Sequence, residues 1–386
     1  MTPTKTSATD PRPAGLLTSA AGLTAHLGRG IARVVTAPLV GRARPLPRRI
    51  TDLDAAALTR LLGRPVTSVS VLGGDDGTSS RARLALTGDD GVPASVFVKM
   101  PARTAATRLM GELGRLADTE VRFYQQLSPG ITGVPRCHAA AFDPVTGGFV
   151  LVLEDLAAGP CEFPDTLHPV DPDRAALVVE LLAGVHAQYW ERFAGDRTLD
   201  WVYTASADHT SLLTGSLLNM SARRLAARTD LPIENGRFII DNYRAVARLI
   251  DRPPHTVMHG DAHPGNLYFR DGRAGLLDWQ AVRRGHPGRE LAYTLVTSMT
   301  PEQRRTSQHE LLDTYRDALA AAGGPMLDRD DLFLRYRQGA LYAYVAALIT
   351  AGMGGMQNED IAMAGLARAV TALDDLETVA ALRAAR

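Results

Sequence analysis

The chain has 386 residues, 45% of them hydrophobic and 22% charged. That is an ordinary globular composition, enough to bury a real core in one two-lobed unit or two modest ones. Lys plus Arg and Asp plus Glu both number 42, so net charge gives no sign of a nucleic acid or other polyanionic partner. Cys137 and Cys161 sit in unrelated surroundings. They supply no disulfide framework and no zinc spacing, so a reducing cytoplasm is the simpler expectation.

Residues 1–50 carry eight Lys or Arg and a single acid, Asp10. They read as a basic, flexible N-terminal extension without the pattern of a signal peptide. Within it, Leu16 to Val40 has Leu, Ile and Val at helical spacing, with Arg29 and Arg33 between them. This segment suits a short helix packed on the domain, or plain disorder, ahead of a basic amphipathic helix for a membrane surface. From Thr51 the pattern becomes regular. Asp52 or Asp54 caps a short helix running to Leu62. Thr67–Leu72 and Arg81–Thr87 alternate as strands around a Gly-rich turn, Gly73–Gly77, and a second turn precedes the strand Ser95–Met100. A helix follows over Thr107–Leu127, then two strands near Cys137–Asp143 and Gly148–Glu154. Residues 51–156 thus form a five-stranded antiparallel sheet with one helix inserted after the third strand.

Beyond a Pro- and Gly-rich loop, residues 157–386 are mostly helical. The expected helices are Arg174–Phe193, Ser211–Arg228, Gly236–Ile250, Pro301–Ala322, Asp328–Ala351 and Ile361–Ala385. The uncharged run Gly339 to Met356 is rich in Gly and Ala and reads as a buried helix, not a membrane span. Strand signals in this half surround one stretch, at Thr256–His259, Asn266–Arg270 and Ala274–Asp278.

That stretch, His259-Gly-Asp-Ala-His-Pro-Gly-Asn266 followed by Leu277-Asp-Trp279, carries the chemistry. Asp261 and Asn266 are five apart, as in the kinase loop whose Asp takes a hydroxyl proton and whose Asn holds Mg²⁺. Asp278 follows a short apolar run, where kinases place a later aspartate that holds metal across the nucleotide phosphates. Upstream, Lys99 ends the third strand, where kinases place their phosphate-contacting lysine. Glu120 lies in the next helix beside its apolar face, positioned to pair with Lys99, with Glu112 as a rival. Gly77, Thr78 and Ser79 belong to a turn whose amides and hydroxyls suit phosphate, although Asp75 and Asp76 must point away. The turn matches neither G-x-x-x-x-G-K-[ST] nor G-x-G-x-x-G. Leu151-Val-Leu-Glu-Asp-Leu156 reads as a hinge, with the backbone around Glu154 and Leu156 facing an adenine edge and Leu151 and Leu153 as apolar walls. Each feature alone has a bland explanation, but all six occur in kinase order on the required elements.

With these motifs, the chain resembles the aminoglycoside phosphotransferase group of small-molecule kinases, including its choline-kinase-like and ecdysteroid-kinase-like branches. The resemblance covers about residues 66–350 and includes Leu181–Trp190 as an early helix of the large lobe. It implies an α+β, bilobal protein-kinase-like fold. It further implies ATP and Mg²⁺ as cofactors, Asp261 as catalytic base, Asn266 and Asp278 as metal ligands, and Lys99 paired with Glu120 on the phosphates. His259 would anchor the loop through hydrogen bonds, and His186 would be a satisfied core histidine.

Gly260 stands where protein kinases carry the Arg of H-R-D, and the chain passes from Asp278 through Gln280–Gly288 straight into a helix at Arg289–Tyr293. No A-P-E motif follows, which favours a hydroxylated small molecule over a peptide as acceptor. Trp190, Trp201, Tyr342 and Tyr344 suggest a partly apolar acceptor pocket. Two other readings compete. His259, Asp261 and His263 form H-x-D-x-H, a spacing suited to a metallohydrolase, and the chain also suits a catalytically silent nucleotide-binding scaffold.

Overall fold

The computed structural model describes residues 13–40, 46–355 and 357–385. The first twelve residues of the basic extension lie outside that set. Pro13–Val40 is a continuous helix, α1. α2 (Ala55–Leu62) starts where Asp54 accepts a hydrogen bond from the Ala57 amide and stops at Gly63 in the left-handed region. Five strands follow, β1 (Val66–Asp76), β2 (Ser79–Gly88), β3 (Ser95–Pro101), β4 (Cys137–Asp143) and β5 (Gly148–Glu154), in the antiparallel order β1-β2-β3-β5-β4.

The expected turn at Gly73–Gly77 is shorter than the sequence suggested. β1 runs on through Gly73 and Gly74, paired with Arg83 and Ala82, so the hairpin turns only at Gly77-Thr78. The helix expected over Thr107–Leu127 is also interrupted. α3 (Ala105–Gly114) ends at Arg115, whose φ of 54° is left-handed. α4 (Leu116–Arg122) then runs into a wider π-type turn over Phe123–Leu127. This break reorients α4, so that Glu120 is buried towards the sheet.

The large lobe contains α5 (Pro172–Gln188), α6 (Ser211–Leu225) and α7 (Arg237–Ile250), then three short strands β6 (Thr256–Met258), β7 (Leu267–Arg270) and β8 (Arg273–Leu276). β9 (Arg283–Gly285) pairs with β6, and β7 with β8. Three residues are too few for an alternating pattern, which is why β9 was not legible. α8 (Pro287–Ser298), α9 (Pro301–Ala321), α10 (Arg329–Met353), α11 (Glu359–Asp375) and α12 (Thr378–Ala384) complete the lobe. The single helix expected over Ile361–Ala385 splits at Glu377, where φ is 45°.

The uncharged run from Gly339 lies in α10, at the centre of this lobe. A Cβ at Gly339 would stand 2.7 Å from the Arg289 Cα, so glycine is what lets α10 press onto α8. Leu341, Tyr344, Val345 and Leu348 of α10 are buried in the main core. Among the described residues, no helix is long and apolar enough to cross a membrane.

Candidate active site

The sheet, α4 and the β6–β9 region deliver their polar side chains to one interface between the lobes. Lys99 leaves β3 and α4 carries Glu120, and the ammonium lies 2.7 and 2.8 Å from the two Glu120 oxygens. The same Nζ donates to Asp278 Oδ1 at 2.9 Å. Glu112, the rival, pairs instead with Arg33 of α1 at 2.8 Å.

One buried ammonium therefore serves two carboxylates. Burial works to lower the Lys99 pKa, but the charges of Asp278 and Glu120 outweigh it and hold the amine above its ordinary value. Burial also opposes ionisation of Asp278, and Lys99 overcomes it and brings that carboxyl below its usual range. Glu120 takes the remaining penalty. Its burial pushes it up to about 7 against the pull of Lys99. A single cation cannot fully compensate both acids, so the more enclosed one titrates higher.

The loop between β6 and β7 is held by His259. Its Nε2 bonds the Leu277 carbonyl at 2.7 Å, while its Nδ1 receives the Asp261 amide at 3.2 Å. Burial lowers the imidazole's pKa, consistent with a neutral ring that donates at Nε2 and accepts at Nδ1. Gly260 has φ +83°, and a Cβ there would stand 2.1 Å from the Ala281 carbonyl oxygen. A side chain at 260 would therefore push the loop away from the Asp278 segment.

Asn266 folds back on this loop, its Nδ2 donating to the Asp261 carbonyl at 2.9 Å and approaching Asp261 Oδ2 at 3.3 Å. The Leu277 amide donates to the Asn266 carbonyl at 2.8 Å, which ties the two aspartate-bearing segments together. Asp278 itself has φ 59°, a left-handed conformation tolerated by Asp and common where a functional group must be aimed. Behind it Trp279 stacks on Phe123 at 4.0 Å and meets the His259 ring edge-on at 4.5 Å. This stack joins α4, the Asp278 segment and the Asp261 loop.

A cleft of about 210 Å³ opens beside these groups, lined by Lys99, Glu120, Asn266 and Asp278 at one end and by Leu153, Glu154 and Leu156 at the other. Phe97, Tyr124, Phe163 and Leu277 add apolar walls. Leu151, expected as a wall, is wholly inside the core. Glu154 uses its side chain structurally, accepting from Arg270 at 2.6 Å and from the Arg136 amide at 3.1 Å. Asp155 takes Arg83 of β2 at 2.9 and 3.1 Å. Gly77, Thr78 and Ser79 do not border this cleft. Thr78 and Ser79 line a narrower space of about 40 Å³ beside Glu120 and Gln280. Asp75 and Asp76 are turned onto Arg81, at 2.7 Å, and Arg103, at 3.2 Å.

Glu290 and Tyr293 were missed in the sequence, and Tyr342 was expected only as a pocket aromatic. Glu290 of α8 accepts the Gly260 amide at 2.6 Å, the His259 amide at 3.2 Å and His186 Nε2 at 2.8 Å. Burial works against its ionisation, but the His186 hydrogen bond and neighbouring dipoles bring its pKa below the usual range. Tyr293, one turn along, donates its hydroxyl to Asp261 Oδ1 at 2.6 Å. Tyr342 of α10 donates to the Gly260 carbonyl at 2.9 Å. The only signal for Glu290 was an acid in the first turn of the helix that follows the Asp278 segment. Of the aromatics suggested for an acceptor pocket, Tyr344 bonds the Ile233 carbonyl within the core at 2.7 Å. Trp190 packs on that core, and Trp201 bonds Gln126 at 2.8 Å.

Asn266 and Asp278 offer an amide oxygen and a carboxylate at the same end of the cleft, hard donors of the kind magnesium takes while keeping water and phosphate as its other ligands. Among the described residues, no group of three or more His, Cys, Asp or Glu is arranged around a metal position.

Similarity to known proteins agrees with this architecture. Residues 70–333 match the phosphotransferase enzyme family, APH. A candidate aminoglycoside phosphotransferase from Ralstonia eutropha is 15% identical, with a TM-score of 0.50 over 83% of this chain and 96% of that one. A candidate fructosamine-3-kinase from Thermobifida fusca is 21% identical, with a TM-score of 0.46 over 82% of this chain and 97% of that one. A choline kinase from Streptococcus pneumoniae is 15% identical, with a TM-score of 0.44 over 81% and 94%. No curated protein matches significantly. The fold is thus α+β and bilobal, of the kinase-like kind. Because the family match begins in β1, ends in α10 and spans well over half of the sequence, the chain belongs to the phosphotransferase enzyme family.

Proposed function

We propose that the protein is a small-molecule kinase that moves the γ-phosphoryl group of ATP to a hydroxyl, with Asp261 as the catalytic base. The observation that carries this reading is the buried Lys99 held between Glu120 and Asp278, at the closed end of a cleft whose other end is the Glu154–Leu156 hinge. Adenine would lie against Leu153, Leu156 and Phe163, with its edge on the hinge backbone. Lys99 would meet the phosphates, oriented by Glu120. Thr78 and Ser79 would close over them from the hairpin. Magnesium, held by Asn266 and Asp278, would neutralise phosphate charge there.

Asp261 would orient the acceptor hydroxyl through Oδ2, since Tyr293 already occupies Oδ1. The acceptor oxygen forms a bond to the γ-phosphorus as the bond to the departing ADP oxygen breaks, and the hydroxyl proton passes to Asp261. The side chains nearest the Asp261 carboxylate are Tyr293 at 2.6 Å, Asn266 at 3.3 Å and His263 at 3.8 Å. Arg289 lies behind Tyr342, its guanidinium 4.0 Å from the ring centroid. Such surroundings suit a neutral or anionic acceptor better than a polycation. The metallohydrolase reading fares worse on chemistry, because both nitrogens of His259 are already bonded to backbone.

The test is a panel of sugars, amino alcohols, lipid-like alcohols and antibiotics assayed for ATP- and Mg²⁺-dependent phosphorylation, with Asp278→Ala alongside. Transfer to a neutral or anionic alcohol, abolished in Asp278→Ala, is expected. Phosphorylation of aminoglycosides alone would overturn the acceptor class. ATP binding without transfer to any member of the panel would favour a silent scaffold.

A further inference from the structure

The two acids of the β1–β2 hairpin lie on opposite faces of the sheet. Asp75, Arg81 and Lys99 stand directly opposite one another across β1, β2 and β3, so their side chains form one row on one face. Asp76 turns to the other face, where it meets Ser80 and Arg103. Arg81 lines the same cleft as Lys99, Asn266 and Asp278. Its guanidinium lies under the hairpin turn, where a Cβ on Gly77 would stand 3.0 Å from Nη2. Burial opposes ionisation of Asp278, Lys99 does most to overcome it, and the Arg81 charge adds to that hold. Two cations directly opposite on neighbouring strands repel each other, and this pair sits at the end of the cleft where nucleotide phosphates would lie.

The fork of Arg81 is filled by Asp75. Nε donates to Oδ1 at 2.8 Å and Nη2 to Oδ2 at 2.7 Å, the two-point geometry with which a guanidinium also takes a phosphate. This partner is easily given up, since the Asp75 side chain is 64% exposed and exposed ion pairs contribute little. Arg83, two residues along β2 and in the same cleft, differs. Its partner Asp155 is only 2% exposed and belongs to the hinge, so this pair fixes the sheet to the hinge. Lys99 is likewise enclosed by Glu120 and Asp278. Arg81 is the cation of this row that can exchange a carboxylate for a phosphate without exposing a buried charge.

We propose that Arg81 takes hold of the phosphate chain of ATP, and that Asp75 occupies its guanidinium as a stand-in anion until the nucleotide arrives. Arg81 thereby adds a second phosphate-contacting cation to the nucleotide reading of the Lys99 cleft, on which this proposal rests. Titration calorimetry of the full chain with MgATP and with adenosine tests it. Arg81→Gln should weaken MgATP binding about tenfold or more, as expected for the loss of hydrogen bonds between charged groups, and leave adenosine binding unchanged. Arg81→Lys, which keeps the charge without the fork, should fall between wild type and Arg81→Gln. Asp75→Asn should tighten MgATP binding about two- to fivefold by removing a competing exposed anion, again with no effect on adenosine. Unchanged MgATP affinity in Arg81→Gln would overturn the proposal. So would an equal loss for adenosine, which would make Arg81 a support for the hairpin, or weaker MgATP binding by Asp75→Asn. A wild type that binds neither ligand would remove the nucleotide reading and this proposal with it, whereas wild-type binding of both, with Arg81→Gln unaffected, would remove this proposal alone.

Discussion

Tyr293 takes one carboxylate oxygen of Asp261 and leaves Oδ2 with only a long bond from Asn266. Its hydroxyl donates to Oδ1 at 2.6 Å while Asn266 approaches Oδ2, so the carboxylate is held in a single orientation. Hydrogen bonds to charged groups contribute about 1.5–3 kcal/mol. Tyr293→Phe should therefore lower kcat about tenfold or more, with the KM for MgATP unchanged, as read from initial rates with a found acceptor. An unchanged kcat would show that Asp261 is oriented without it. At this scale the sequence was most legible where residue type and spacing coincide. Asp261, Asn266 and Asp278 sit in a short motif, and Lys99 ends a recognisable strand. Tyr293, Glu290 and the loop contact of Tyr342 were hidden because they come from packing of α8 and α10 onto the loop, which no local pattern encodes.

Elements hold the site through the column of rings linking α4 to the two aspartate-bearing segments. Trp279, fully buried, stacks on Phe123 and meets the His259 ring edge-on. Trp279→Ala should lower unfolding stability by about 3–5 kcal/mol, measured by urea denaturation. Phosphotransfer should fall with it even under conditions where the variant is folded, because Asp278 loses its backing. A loss within 1 kcal/mol would mean the stack is dispensable. Strands and helices were legible from alternation and helical spacing, but their interruptions were not. The break at Arg115, the turn at Phe123–Leu127 and the kink at Glu377 place residues in conformations set by tertiary contacts. Glu120 gains its buried place from the first of these breaks.

The whole molecule is built on a large-lobe core that encloses neutral histidines. Burial, with Arg335 nearby, pushes His286 down to about 3, and burial lowers His259 as well. His286 Nδ1 accepts the Gly288 amide at 3.1 Å, and its Nε2 is buried without a hydrogen-bond partner among the described residues. In the unfolded chain a histidine titrates near 6.5, so below that pH the unfolded state binds more protons. The stability that His286 contributes is therefore complete above about pH 6.5 and is lost as pH falls towards its folded value. The thermal midpoint should drop between about pH 7 and pH 5, and less steeply in His286→Asn, which keeps an acceptor for the Gly288 amide. Equal slopes in the two proteins would remove His286 from the account. The two-lobed plan was legible as a change from strand to helix patterns after Leu156. The packing of α1 against α3 was not, since its anchors lie far apart in sequence, at His26, Arg33 and Glu112.

The proposed role of Asp261 is to take the proton of the acceptor hydroxyl during transfer from ATP. Single-turnover transfer of labelled γ-phosphate from pre-bound ATP, compared between wild type and Asp261→Asn, tests it most directly. With Asp261 as the base, the variant's rate falls by about 10²–10⁴ with MgATP affinity unchanged. Transfer by purified Asp261→Asn at near the wild-type rate would contradict it.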